Sequence, residues 1–214
     1  MSFFKIFFIL NLLASSSALA SSDCPLPQSF EKWKSVFRFD SYMIPSAPCE
    51  TEKLLAKVIR GLEIIEEVDA LPLREKSILW EGRPKLEVLS SYVSTFNLRD
   101  CSPHEAAYVT GGKEMNLCYH LTNLGDIEAA SIFIHELRHI ETGNLQHHFC
   151  SNESYPKLFR RLACDRAFAD KGPYAHQVIF FQEISSHPKM AEPMRQEAQR
   201  LYKKYLEERF NQTE

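Results

Sequence analysis

Apolar residues recur at helical spacing from Thr51 to Ala70, where Leu54, Leu55, Val58, Leu62, Ile65 and Val68 share one stripe. Thr51 is placed to cap the start and Pro72 follows the end, so a helix is expected there. Farther on the period changes. Ala106-Ala-Tyr-Val-Thr110 and Asn116-Leu-Cys-Tyr-His-Leu121 are β-rich runs on either side of Gly111-Gly112, which predicts a hairpin. Asp126 to Thr142 reads as a second helix rich in Ile, Ala and Leu, and Gly143-Asn144 suit a left-handed stop. A buried helix is expected from near Pro173 through Val178 to Ile184, and a charged, largely exposed one over Met190 to Phe210. Leu86 to Phe96 mixes the two periods, and the aromatic stretch Phe30 to Phe37 carries neither. Helices around a small hairpin make an α+β domain.

The start of the chain has a different purpose. One cation, Lys5, precedes an apolar run from Ile6 to Ala14, and Ala18-Leu19-Ala20 has a small-x-small form, so residues 1–20 read as a secretory leader. That run is too short to cross a bilayer and no later stretch reaches the needed length, so a membrane-embedded chain is not expected. Asp23 before Cys24 fits a lipoprotein signal poorly, which points to a free exported protein, secreted or periplasmic. All six cysteines follow the leader. An even number in an exported chain predicts three disulfides, and sequential pairing is the simplest: Cys24–Cys49, Cys101–Cys118 and Cys150–Cys164. With 44% hydrophobic and 12% aromatic residues, disorder is excluded. A net charge of −3 without a concentrated basic face excludes a general nucleic-acid binder.

The chemistry lies in Ser131-Ile-Phe-Ile-His135-Glu136-Leu-Arg-His139-Ile-Glu-Thr-Gly143. Two histidines four apart on a helix project from the same face, one turn apart. Their neutral nitrogens can then reach one zinc ion at about 2.0–2.1 Å. Glu136 is beside the first histidine and is not needed as a ligand. A carboxylate there suits the role of general base toward a water that the metal has acidified.

These residues resemble the zincin metallopeptidases, over about Glu105 to Ile184. The resemblance implies a mainly helical, disulfide-stabilised α+β domain with an active-site helix and a small sheet. It implies Zn2+ on His135 and His139, Glu136 as the catalytic residue, and a peptide or protein substrate. It also implies a strand near the active helix that forms the cleft edge and holds an extended peptide by β-augmentation, a place that Asn116 to Leu121 would take. Residues 21–100 are then a helical N-terminal region, a subdomain or a propeptide, and 101–214 the zincin-like catalytic region with its C-terminal helix.

A catalytic zinc site needs a third protein ligand. Metzincins place a glycine and then a histidine after the second motif histidine. Gly143 followed by His147 and His148 has that logic at a different spacing, and His148 is taken as the ligand with His147 as its alternative. The run Cys164-Asp165 to Gly172-Pro-Tyr174 is similar to the aspartate-supplying region of aspzincins, which makes Asp165 a second alternative. Asp170, Glu153 and Glu183 complete the candidates. A Cys150–Cys164 disulfide would hold the histidine loop against the aspartate, so an aspartate that is not a ligand can still support one. Tyr174 is a candidate donor to an oxyanion. The competing readings are an inactive exported zinc-binding or protein-interaction module of the same fold, and a disulfide-stabilised helical protein with an accidental motif.

Overall fold

The computed structural model describes residues 24–42, 49–71, 79–102, 105–110, 112–143, 146–150 and 162–212. The expected leader lies outside them. The unassigned aromatic stretch divides into a short helix α1 (Phe30–Lys34) and a strand β1 (Arg38–Tyr42). Trp33 and Phe37 enter the core, with ring centroids 6.5 Å apart. The first long helix, α2 (Glu50–Asp69), begins one residue ahead of the predicted start, and Thr51 is not its cap. Cys49 stands there instead, at φ 66°, its carbonyl accepting from Lys53 N–H and its sulfur bonded to Cys24.

The run of mixed period is both things in turn: a helix α3 (Lys85–Tyr92), then a strand β2 (Thr95–Arg99). The hairpin forms from β3 (Ala107–Val109) and β4 (Glu114–Cys118), with Gly112 at φ 74° in its turn. A 3-10 turn over Tyr119–Asn123 ends the strand earlier than expected. The motif helix is α4 (Asp126–Thr142), stopped by Gly143 at φ 63°. Then come β5 (His148–Phe149), β6 (Leu162–Ala167), α5 (Pro173–Ser186), α6 (Glu192–Glu208) and β7 (Phe210–Gln212).

The main sheet has the order β1-β2-β4-β3, with β1, β2 and β4 parallel and β3 antiparallel at the margin. Parallel neighbours require a crossover, and α2 with α3 supplies it between β1 and β2. This order corrects one expectation. β4 is hydrogen-bonded on both sides, to β2 and to β3, so it has no edge to offer an extended peptide. The marginal strand that packs by α4 is β3. A second small sheet has the order β5-β6-β7.

Phe96, Leu98, Met115 and Leu117 point from the main sheet into the core, where Phe96 meets Phe133 of α4 at 5.6 Å between ring centroids. Helix α2 closes on α4 at Gly61, where a Cβ would lie 2.7 Å from Phe133 Cε2. A larger residue there must displace that ring. Another face of α4 meets α5, and α6 packs on α5. Residues 24–100 thus place α2, β1 and β2 in the same apolar cluster as α4 and α5. The main sheet and the core draw on residues from both sides of position 100. The three disulfides pair in sequence order and no cysteine is free. Among the described residues no helix is long and apolar enough to cross a membrane.

Candidate metal centre

Helix α4 buries residues on consecutive positions such as Phe133 to Leu137, which is the pattern of a helix covered on several sides. Ser131, His135 and His139 repeat every four residues and make a buried polar stripe along one side of it. Gly143 ends the helix, and the chain beyond it returns His147 over the two helix histidines. Nε2 of His135 is 3.2 Å from Nε2 of His139 and 3.0 Å from Nε2 of His147. The remaining separation, His139 to His147, is also 3.0 Å.

His148 is not part of this group. Its side chain is exposed on β5, and the position assigned to it belongs to its neighbour. In an extended segment a shift of one residue reverses the face, and here it is His147 that turns inward. Asp165 stands behind His147, with Oδ1 3.6 Å from His147 Nδ1. Its Oδ2 accepts from Ala175 N–H at 3.0 Å and ties down the start of α5. Gly172 makes this approach possible, since a Cβ there would lie 2.5 Å from Asp165 Oδ2. The Cys150–Cys164 disulfide fastens the His147 segment to β6, which carries Asp165.

Other candidate ligands are engaged elsewhere. Glu183 pairs with Lys85 Nζ at 2.7 Å; that ammonium is only 1% exposed and has Asp69 3.6 Å away. Asp170 is exposed on a short 3-10 turn, and Glu153 lies outside the described residues. Cys101, Glu105 and Cys118 also come close together, but both sulfurs belong to one disulfide and offer no thiolate.

Burial holds His135 neutral, well below the usual histidine range, and His147 and His139 add to the effect. An imidazole nitrogen has one in-plane orbital, filled by a proton or by a lone pair. With His135 Nδ1 facing the amide oxygen of Gln177 at 2.9 Å, its Nε2 presents a lone pair. A single proton in the triangle leaves two lone pairs opposed, and a second, on another neutral Nε2–H imidazole, sets two N–H groups against each other. A dication resolves both costs. Zinc–nitrogen bonds of about 2.0–2.1 Å in a tetrahedral site place ligand atoms about 3.3 Å apart, close to the spacing here. His135, His139 and His147 therefore fit zinc in number, donor type and spacing.

Glu136 is buried beside the triad, and burial pushes its carboxyl up to about 8. The Tyr174 ring lies 4.5 Å from the His135 ring and 4.8 Å from the His147 ring, with the Arg209 guanidinium 5.0 Å from its own centre. Arg138 turns away: it donates to Glu141 and to the Lys171 carbonyl. Two residues escaped the sequence reading, Gln177 and Ser131. The available signals were a glutamine inside the apolar run of α5, and a serine one turn before His135 on the same stripe. No family model matches the chain, and neither does any curated protein or solved structure.

Proposed function

We propose that this protein is an exported zinc-dependent peptidase whose metal is held by His135, His139 and His147. The observation that carries the reading is the triangle of imidazole nitrogens, 3.0–3.2 Å on each side, at the surface of a helix that also presents a buried carboxylate. Zinc, when bound, would supply Lewis acidity that polarises a scissile carbonyl and acidifies water. Glu136 would take the proton of the attacking water and pass it to the leaving amine. Without a neighbouring cation, burial keeps that carboxyl protonated near neutrality; a dication beside it is the opposite charge that lowers it into the working range of a base. Strand β3 would align an extended substrate through main-chain hydrogen bonds, because it is the marginal strand next to α4. Tyr174, packed on two of the three imidazoles, would donate to an oxyanion.

The test is zinc content and peptide hydrolysis of the mature chain beside Glu136→Gln. The amide keeps the size of the side chain but cannot accept the proton. Zinc stoichiometry should stay at one per chain while turnover falls about 10²–10⁴-fold. Equal turnover at equal zinc content overturns the peptidase reading and leaves a zinc-binding interaction module.

A further inference from the structure

Gln177 is wholly buried in the apolar run from Ala175 to Phe181. A buried amide is costly unless both its ends are bonded, so its two partners decide which way it faces. Its Oε1 is 2.9 Å from His135 Nδ1, and its Nε2 is 2.8 Å from Ser131 Oγ. Ser131 is also buried, and its Oγ is 2.7 Å from the Glu128 carbonyl oxygen, one turn back along α4. A carbonyl can only accept, so the Ser131 proton goes to Glu128. The hydroxyl then has only lone pairs for Gln177, which must turn its NH2 toward Ser131 and its oxygen toward His135. That oxygen also only accepts. The proton of His135 must therefore be on Nδ1.

We infer that Gln177 is a positioning residue for His135: with Ser131 behind it, it holds the imidazole in the Nδ1–H form and leaves Nε2 bare toward His139 and His147. The chain of donors begins at the candidate metal ligand and ends on a backbone carbonyl of α4, so the helix's own hydrogen-bonding fixes the tautomer. Among the described residues His147 has no equivalent, since the Asp165 oxygen nearest its Nδ1 is 3.6 Å away, longer than a hydrogen bond. The consequence for metal affinity rests on the zinc reading above; the tautomer rests on the hydrogen bonds alone.

The experiment takes the mature, disulfide-bonded chain with 15N-labelled histidine. Long-range proton–nitrogen correlation spectra read the His135 tautomer in metal-free protein, and chelator competition reads zinc affinity. Wild type should show a protonated Nδ1 and an unprotonated Nε2 at His135. Gln177→Leu, of similar size but without an acceptor, should shift His135 toward the Nε2–H form and weaken zinc binding about 10–100-fold. Gln177→Glu restores an acceptor facing Nδ1 and should recover both readouts, which a simple packing role would not produce. Ser131→Ala removes the partner that orients the amide and should give a mixture of tautomers. A wild-type His135 protonated on Nε2 overturns the inference, as does Gln177→Leu with unchanged tautomer and zinc affinity. A wild-type chain that binds no zinc defeats the peptidase reading instead, while the spectra still decide the role of Gln177.

Discussion

His147 and His148 are adjacent in the chain and opposite in surroundings: one reaches the two helix histidines, the other is exposed. His147→Ala should weaken zinc binding by more than about 100-fold, beyond the usual effect of losing a supporting partner. His148→Ala should leave it unchanged. Chelator competition on the two variants checks this, and a larger loss in His148→Ala would return the ligand to its first assignment. A second histidine makes a separate statement about stability. Burial pushes His176 down to about 4, although its bond to the Gly172 carbonyl acts the other way. Between pH 6.5 and 4 the unfolded chain takes up a proton there that the folded chain refuses. Stability from this group is therefore complete above pH 6.5, falls as the pH drops, and is lost by about 4. The slope is about 1.4 kcal/mol per pH unit, up to roughly 3 kcal/mol in all. Denaturant titrations of wild type and His176→Gln at pH 7 and pH 4.5 should show a smaller acid loss in the variant.

At the scale of the element, the position of α4 follows from what sits on each of its faces. Phe133 fills the side toward α2 and the sheet, and Gly61 supplies the room. Ser131 and His135 fill the side toward α5, where the polar groups find partners. Gly61→Val would drive two methyl groups into the Phe133 ring and should cost about 1–3 kcal/mol, the usual range for overpacking. Gly61→Ala should cost less, because a better helix former offsets part of the clash. Thermal unfolding of both variants tests this order; a Gly61→Val chain as stable as wild type would mean that the α2–α4 contact is loose. The same packing explains the strand correction. β4 is central because β2, contributed by the first hundred residues, pairs with it in parallel, so the margin passes to β3.

For the whole molecule, residues 24–100 matter most. They contribute Trp33, Phe37, Leu62, Ile65 and Phe96 to the core that supports α4. A chain reduced to 101–214 loses two of the four strands in the main sheet and α2, one of the helices against which α4 packs. It should show no cooperative unfolding transition and no zinc affinity near that of the mature protein. Cooperative folding with zinc bound would make the first region a separable piece.

How much was legible follows from the range of the forces involved. The long helices α2, α4, α5 and α6 and the β3–β4 hairpin were readable, because a stripe of apolar residues, a glycine stop or a glycine turn acts over a few positions. The pairing of the cysteines was readable too, as short loops closed in order. His135 and His139 share a face by helical geometry alone, so the sequence determined that pair with Glu136 beside them. Strands β1, β6 and β7 were not legible. Each exists through pairing with segments distant in the chain, and their own residues carry no clean alternation. The choice of His147 over His148, the placing of Asp165 behind it and the link from Gln177 to His135 belong to tertiary structure alone. They depend on which way a short segment faces and on which buried donor meets which acceptor, and only the packing of α5 against α4 and of β6 against α5 settles those.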